Sequence, residues 1–518
     1  MLMDKGGSFL AKRPRMVYSA LILTGVNLLL RTAGTSFQVY ISGKIGAAGV
    51  GLLQLVLSVG SFAMIAGMAG IRTSTMYLCA EELGKKQPAT VAHVLSGCIL
   101  YSILCSCTAA IVLYTFSPSI AQFWIKDIRI LSCLRLYAAF LPIVCLTGVL
   151  SGYFTAAGRI GTLAAVEVAE QILSMLVTVY LLKYWSGTDS ARACLCVILG
   201  SSCGTCLTLI CLFFLCIRTL SKKRVHTLVR SRLIHTAIPL AAADVLKSGI
   251  NTVENLMVPR RLEMHVGTIV PLAAFGLVTG MVFPVIMYPA CILFALAELL
   301  IPEMARCNAS ANKKRILYLT GRSLKITLCY GLLFSGWIFL CAENLCLKLY
   351  GNTEAVISLR LYSLLIPMLY CDILIDAMTK GLGQQKICVL YNIITSFLDV
   401  VLLFILLPKY GMNGYFISFT ITHALNFILS LQRLMKISGY PVPGYVPMLA
   451  VSAALLSGVP ASLISSVPIR LASFTVILGC ILYLFGLIHR EDLHWIINLV
   501  FPFPGSKKSR RNQCSDAI

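Results

Sequence analysis

The chain has 518 residues, of which 58% are apolar and only 12% charged, and its mean hydropathy is +0.87. A soluble domain carries roughly 25% charged residues, so the composition excludes a water-soluble enzyme and points to a chain that lives in a membrane. Lys and Arg number 43 against 20 Asp and Glu, a net charge of +23. These cations fall in short gaps between apolar blocks, without any nucleic-acid-binding signature, where they orient the chain and meet anionic lipid heads.

In chain order, apolar blocks long enough to cross a bilayer predict about fourteen helices. Their spans are 16–41, 49–78, 90–116, 130–153, 161–183, 193–217, 233–257, 271–300, 316–341, 356–379, 387–407, 413–432, 445–466 and 471–488. The first follows Lys12, Arg13 and Arg15 as a signal peptide would. It has no small-residue cleavage site after a short apolar core and runs on to Ile41, so it is expected to stay as a helix. Basic residues gather in segments on the N-terminal side, such as Arg218, Lys222, Lys223, Arg224, Arg230 and Arg232, and again in Lys507, Lys508, Arg510 and Arg511. The opposite gaps hold scattered cations such as Lys44, Lys126 and Lys409. This bias predicts a multi-pass protein of the bacterial cytoplasmic membrane with both termini in the cytoplasm.

The 21 cysteines are mostly single and lie within apolar blocks, as at Cys98, Cys145, Cys291, Cys329 and Cys480. That pattern suits small thiols between helices, not a disulfide framework. Cys203-Gly-Thr-Cys206 has no second pair and no nearby His, and is read as helix packing in preference to a metal or redox site.

An internal repeat sets the architecture. Leu134-Arg135-Leu136-Tyr137, then Pro142 and Gly158, recurs as Leu359-Arg360-Leu361-Tyr362, then Pro367 and Gly383, and the same offset carries Gly51 to Gly276. Each repeat spans six helices, an even number, so the halves share an orientation and relate by an axis along the membrane normal. The expectation is an all-α polytopic membrane protein of two six-helix lobes in parallel repeat, plus two C-terminal helices. Its parts are an N-terminal lobe at 1–217, a basic cytoplasmic linker at 218–232, a C-terminal lobe at 233–436, the added pair at 437–490 and a cytoplasmic tail at 491–518. Two such lobes can rock about a central cavity, as a transporter requires.

Charges at membrane depth cost about 2.5 kcal/mol or more and mark the candidate site. The first lobe offers Arg31, Arg72, Glu167 and Glu170, and the second Asp244, Lys247, Glu254, Glu298, Asp372, Asp376 and Asp399. Asp244, Lys247, Asn251 and Glu254 form one helical stripe that is untenable against lipid, so it should line a wet cavity. Asp244 and Lys247 either serve that cavity or neutralise each other. Asp372 and Asp376 show no adjacent cation in sequence, and either couple an ion or pair with a base on another helix. Arg31 suits a phosphate, being permanently charged and bidentate, unless it pairs with Glu170 or Asp399. Arg135 and Arg360 read as anchors that snorkel to the interface. No catalytic motif, nucleotide-binding loop or His pair at metal-ligand spacing is present, so neither catalysis nor a cofactor is expected, and an ion gradient or the membrane potential would drive transport.

Arg31-Thr-Ala-Gly, Ile45-Gly-Ala-Ala-Gly-Val-Gly-Leu52, Ser151-Gly-Tyr-Phe-Thr155 and Glu170-Gln171 resemble, in order and spacing, motifs of the stage V sporulation protein B branch of the oligosaccharide-lipid flippases. Pro239 with Glu254, Leu300-Ile-Pro-Glu303 and Leu349-Tyr-Gly351 match further landmarks, over roughly residues 16 to 490. The resemblance implies fourteen helices and movement of an undecaprenyl-linked, lipid II-like peptidoglycan precursor to the outer leaflet, for spore cortex or cell wall. It implies Arg31 as a diphosphate contact and Glu254 as a cavity acid. Two positions depart from the pattern: Ser151 stands where the family has Arg, and Asp244 where it often has Arg, with Lys247 one turn on as the replacement.

The leading expectation is therefore a flippase whose lobes clamp the diphosphate with Arg31, Lys247 and Arg72. Asp244, Asn251, Glu254, Asp372, Asp376, Asp399 and Glu170 line the cavity or couple an ion, and a groove made with the last two helices holds the prenyl tail. The alternatives are a proton- or sodium-coupled multidrug or metabolite antiporter on the same architecture, a non-transporting scaffold, and an intramembrane enzyme. Expected partners are the lipid-linked saccharide, anionic lipids and cell-wall synthases, with no nucleic acid, and the chain is expected to be a monomer.

Overall fold

A computed structural model describes residues 7–68, 70–84, 88–185, 189–219, 229–265, 270–351, 353–441 and 446–486, and all regular structure among them is helical. The predicted linker and the tail, with Lys222, Lys223, Arg224 and the cations beyond 486, lie largely or wholly outside the described residues.

The helices are α1 (Gly7–Met68), α2 (Ile71–Gly84), α3 (Pro88–Ser119, continued by a π-helical turn Ile120–Ile125), α4 (Leu131–Ala156), α5 (Ile160–Tyr184), α6 (Ser190–Thr219) and α7 (Val229–Leu262). Then follow α8 (Pro271–Gly276), a π turn (Leu277–Val282), α9 (Phe283–Met287), α10 (Ala290–Ala309), α11 (Lys313–Tyr350), α12 (Val356–Ser363) and α13 (Ile366–Gly381). The series closes with α14 (Gln385–Tyr410), α15 (Met412–Ser438), α16 (Val446–Ser462) and α17 (Val467–Leu484).

Nine described helices are long and apolar enough to cross a membrane, or eleven if each bent pair counts as one span. The bent pairs are the eighth and tenth predicted spans, broken by 65° at 288–289 and by 52° before Pro367. Three further spans complete the predicted fourteen. The first two share α1, which is broken by non-helical backbone at Gly46. Ser42 and Val50, on either side of that break, both meet Gly280, so the chain doubles back there. The seventh is α7, whose charged stripe keeps it from reading as apolar, and the thirteenth is the short α16. Below, the proximal end is the one carrying the N-terminus, and the distal end is that of the Gly46 turn.

The repeat is present in the backbone. Gly158 and Gly383 both take positive φ, 68° and 81°, where the fourth and tenth spans hand over to the next helix, a conformation that favours glycine. Tyr137 packs its ring on Gly60 of its lobe's second span, and Tyr362 packs on Phe283 of α9 in the other lobe. Gly51 and Gly276 face each other across the lobe boundary: a Cβ on Gly276 would stand 2.0 Å from the Ala47 carbonyl oxygen and 2.4 Å from the Gly51 nitrogen. The lobes therefore touch backbone to backbone at repeat-equivalent positions near the distal end. Ser42 Oγ donates to the Gly280 carbonyl at 2.8 Å, and Lys126 pairs with Glu263, also between lobes.

The last pair, α16 and α17, packs on α11. Phe474 fills the space over Gly336, Trp337 Nε1 donates to Thr475 at 3.0 Å, and Arg470 donates to the Leu340 carbonyl at 3.1 Å. Every cysteine among the described residues is a free thiol, Cys203 and Cys206 included.

Candidate functional site

On the proximal side of the lobe contacts, the second arm of α1 faces α7. Thr252 donates to the Ser58 carbonyl at 3.1 Å and Asn255 Nδ2 to Ser58 Oγ at 2.9 Å, pinning the two elements at mid-depth. Beyond that pin they enclose a cavity of about 450 Å³, lined by Ser58, Ser61, Arg72, Asp244, Lys247 and Asn251 among others. Arg72 comes from the first lobe and Lys247 from the second. Among the described residues neither cation has an acid within ion-pairing distance, and Asp244 and Lys247 do not pair despite their spacing. That removes the structural-pair alternative for these two residues. Arg72 influences Glu167 only through space.

Lys247, Asn251 and Asn255 are shared with a second recess of about 400 Å³ inside the second lobe. Here the chemistry reverses: Glu254, Asp372 and Asp399 line it, with Asn392, Thr395, Thr422, His423 and Asn426. Asp399 is buried; Ser418 Oγ donates to its Oδ1 at 2.6 Å, and Thr422 Oγ1 lies 3.2 Å from the same oxygen. The Glu254 side chain reaches that carboxyl from α7. Asn426 Nδ2 donates to Asp372 Oδ2 at 3.0 Å, leaving Asp372 Oδ1 and Asn426 Oδ1 buried without a protein donor. Buried acceptors left without a donor are what a small cation or a proton can satisfy. No group of three His, Cys, Asp or Glu close enough to hold a metal ion occurs among the described residues.

The α7 stripe thus does what its spacing predicts: Asp244, Lys247 and Asn251 face the first recess, and Lys247, Asn251 and Glu254 the second. Three other expectations need correction. Arg31 is not on the wall of either recess and pairs with neither Glu170 nor Asp399; its guanidinium lies 4.0 Å over the Phe294 ring. A span can stabilise a cation against an aromatic face, an option that charge counting overlooks. Asp376 is paired with Lys380 at 2.6 Å on its own helix, so a cation was adjacent in sequence after all. Glu170 also lies off both recesses, held between α5 and α6 by Thr208 Oγ1 at 2.7 Å and Thr205 Oγ1 at 3.1 Å. Arg135 stands over Tyr114 at 5.1 Å. Asn255, Asn392, His423 and Asn426 were not singled out from sequence; uncharged polar residues in apolar helices often satisfy themselves on the preceding turn, so they carry little signal there.

A third cavity, of about 480 Å³, is almost wholly apolar and lies between the first arm of α1, α9, α11 and α17. Thr35, Val39, Val285, Trp337, Leu345 and Leu471 are on its walls, and Arg31 is one helical turn before Thr35. The expected groove is therefore built with α17 but with no described residue of α16.

These features meet a consistent set of relatives. The MatE family model matches residues 24–181. Stage V sporulation protein B of Bacillus subtilis (strain 168) is 21% identical over 502 residues, covering 92% of this chain and 96% of that protein. An inward-facing multidrug resistance MATE transporter of the MOP superfamily superposes with a TM-score of 0.64 at 13% identity, over 81% of this chain and 98% of its own. The lipid II flippase MurJ, in an inward closed conformation, superposes with a TM-score of 0.63 at 13% identity, over 90% of this chain and 98% of its own. The fold is that of the MOP-superfamily transporters. The resemblance to the stage V sporulation protein B branch is borne out over nearly the whole chain. Within this MOP-superfamily fold, the first recess lies at the seam between lobes and the second opens from it into the second lobe.

Proposed function

We propose that the protein is an ion-coupled flippase for an undecaprenyl-linked, lipid II-like precursor of spore cortex or cell wall, working by alternating access. The observation that carries this reading is the pair Arg72 and Lys247: one cation from each lobe, both without an acidic partner, on the wall of one cavity. A diphosphate bridging them links the lobes through charge-assisted hydrogen bonds, so its binding is coupled to their closure. The apolar groove beside α17 suits the prenyl chain, which then never leaves a lipid-like environment, and Arg31 at the groove's end can meet the phosphate on entry. Glu254, Asp372 and Asp399 supply the coupling-ion site, with the two unpartnered oxygens of Asp372 and Asn426 as its nearest ligands.

The same carboxylates support the second reading, a proton- or sodium-coupled antiporter of drugs or metabolites. Binding separates the two. Purified protein should retain undecaprenyl diphosphate and lose it in Arg72→Gln/Lys247→Gln, while undecaprenol is not retained. Retention of undecaprenol alike, or of an organic cation that depends on Asp372 and not on the two bases, would move the assignment to the antiporter.

A further inference from the structure

At the distal end α7 finishes with Arg260 and Arg261 in its last turn. Cations there suit the helix dipole, but their surroundings ask more of them. The neighbouring carboxylate, Glu263, is taken by Lys126 of the other lobe, and among the described residues neither arginine has an acid within ion-pairing distance. Arg261 lays its guanidinium 3.2 Å over the Phe404 ring, and its edge meets only the Met264 thioether, at 3.5 Å. The flat face is engaged while most of the N–H edge is left to take oxygen acceptors.

The two arginines rim a cavity of about 320 Å³ whose other walls are Trp124, Val253, Leu256, Met257, Met264 and Phe404. These walls look outward: Val253 is 42% exposed, Trp124 47% and Phe404 51%. The cavity shares no lining residue with either of the two polar recesses, so it is separate from them. From Arg260 back to Val253 is two turns, about 10 Å along the axis. Charge therefore sits where lipid phosphates lie, an indole sits at the interfacial belt, and an apolar wall sits where acyl chains begin.

We propose that this recess binds an acidic phospholipid, its phosphate on Arg260 and Arg261 and its chain against Val253, Leu256 and Met257, and that the bound lipid clamps the lobes at their distal end. An apolar floor disfavours a free anion, and with Glu263 already paired no nearby carboxylate greets the amine of a zwitterionic head. Trp124 belongs to the first lobe and the rest of the wall to the second, so the occupant touches both. Rocking the lobes apart at this end divides the site, and a ligand bound to one arrangement alone shifts the equilibrium toward it. This inference is independent of which substrate the seam carries.

The test uses the full chain in bilayers, with Trp185, Trp337 and Trp495 replaced by Phe so that Trp124 alone reports. Brominated phosphatidylglycerol should quench Trp124 at about a thirtyfold lower mole fraction than brominated phosphatidylcholine, as two surface arginines imply. Arg260→Gln/Arg261→Gln should abolish that preference. A benzophenone amino acid at Met257 in the otherwise native chain gives a second readout and should capture phosphatidylglycerol selectively. Equal quenching by the two lipids, a preference that survives the double substitution, unselective capture at Met257, or displacement of the preference by inorganic phosphate would each overturn the proposal.

Discussion

Lys247 stands where the cationic and acidic recesses join, and no other charged side chain lines both. Its charge is needed on the proposed reading, but its geometry is not, because a flexible ammonium meets phosphate as a point charge. Lys247→Arg should keep most transport, and Lys247→Gln should lower its rate by about tenfold or more, as loss of a charge-assisted contact implies. Translocation assays on variants matched for membrane expression check this; equal rates for the two would remove Lys247 from the substrate path. Asp399 yields a stability prediction. Ser418→Ala with Thr422→Val strips its buried carboxyl of hydroxyl neighbours and should cost about 1–3 kcal/mol, toward the lower figure in a membrane. Unfolding in detergent measures that cost, and an unchanged midpoint would mean that Glu254 alone satisfies the group. At this scale the α7 stripe was legible because three charges and an amide at helical spacing cannot face lipid, although the spacing alone left open whether Asp244 and Lys247 pair. The place of Arg31 was not, since nothing in sequence tells a guanidinium on the wall of a recess from one laid on Phe294 outside it. The Asp376–Lys380 pair was written in the sequence at i,i+4 and needed only to be looked for.

Among the helices, the distal contact of Gly51 with Gly276 decides how closely the lobes can approach. The repeat offset made these residues equivalent, but equivalence does not tell that they touch; that follows from both lying beside the axis relating the lobes. Gly276→Val places side-chain atoms where the Ala47 and Gly51 backbone stands, and neither can yield as a flexible side chain would. The distal ends should then part. With Lys126→Cys and Glu263→Cys in place, cross-linking between lobes by a short bifunctional thiol reagent should be efficient beside Gly276 and fall severalfold beside Val. Undiminished cross-linking would show that the lobes close without the glycine contact. Span positions were readable from apolar length, whereas the breaks at 288–289 and before Pro367 are marked only by Pro289 and Pro367, and a proline does not tell how far a span bends.

For the whole molecule, composition and the parallel repeat carried the reading as far as two lobes with an added pair, and the superposition on MOP-superfamily structures agrees with the two-lobe fold. The opposed character of the two recesses was not visible, because it depends on which face of each helix turns to the seam. That opposition underlies the central claim: bases from both lobes hold a diphosphate while acids of one lobe hold the driving ion. The most direct test is the appearance of lipid II in the far leaflet of vesicles carrying the folded protein under an imposed ion gradient. The account predicts translocation by the intact chain that is lost in Arg72→Gln/Lys247→Gln. No translocation by the intact chain, or undiminished translocation by the double variant, would contradict it.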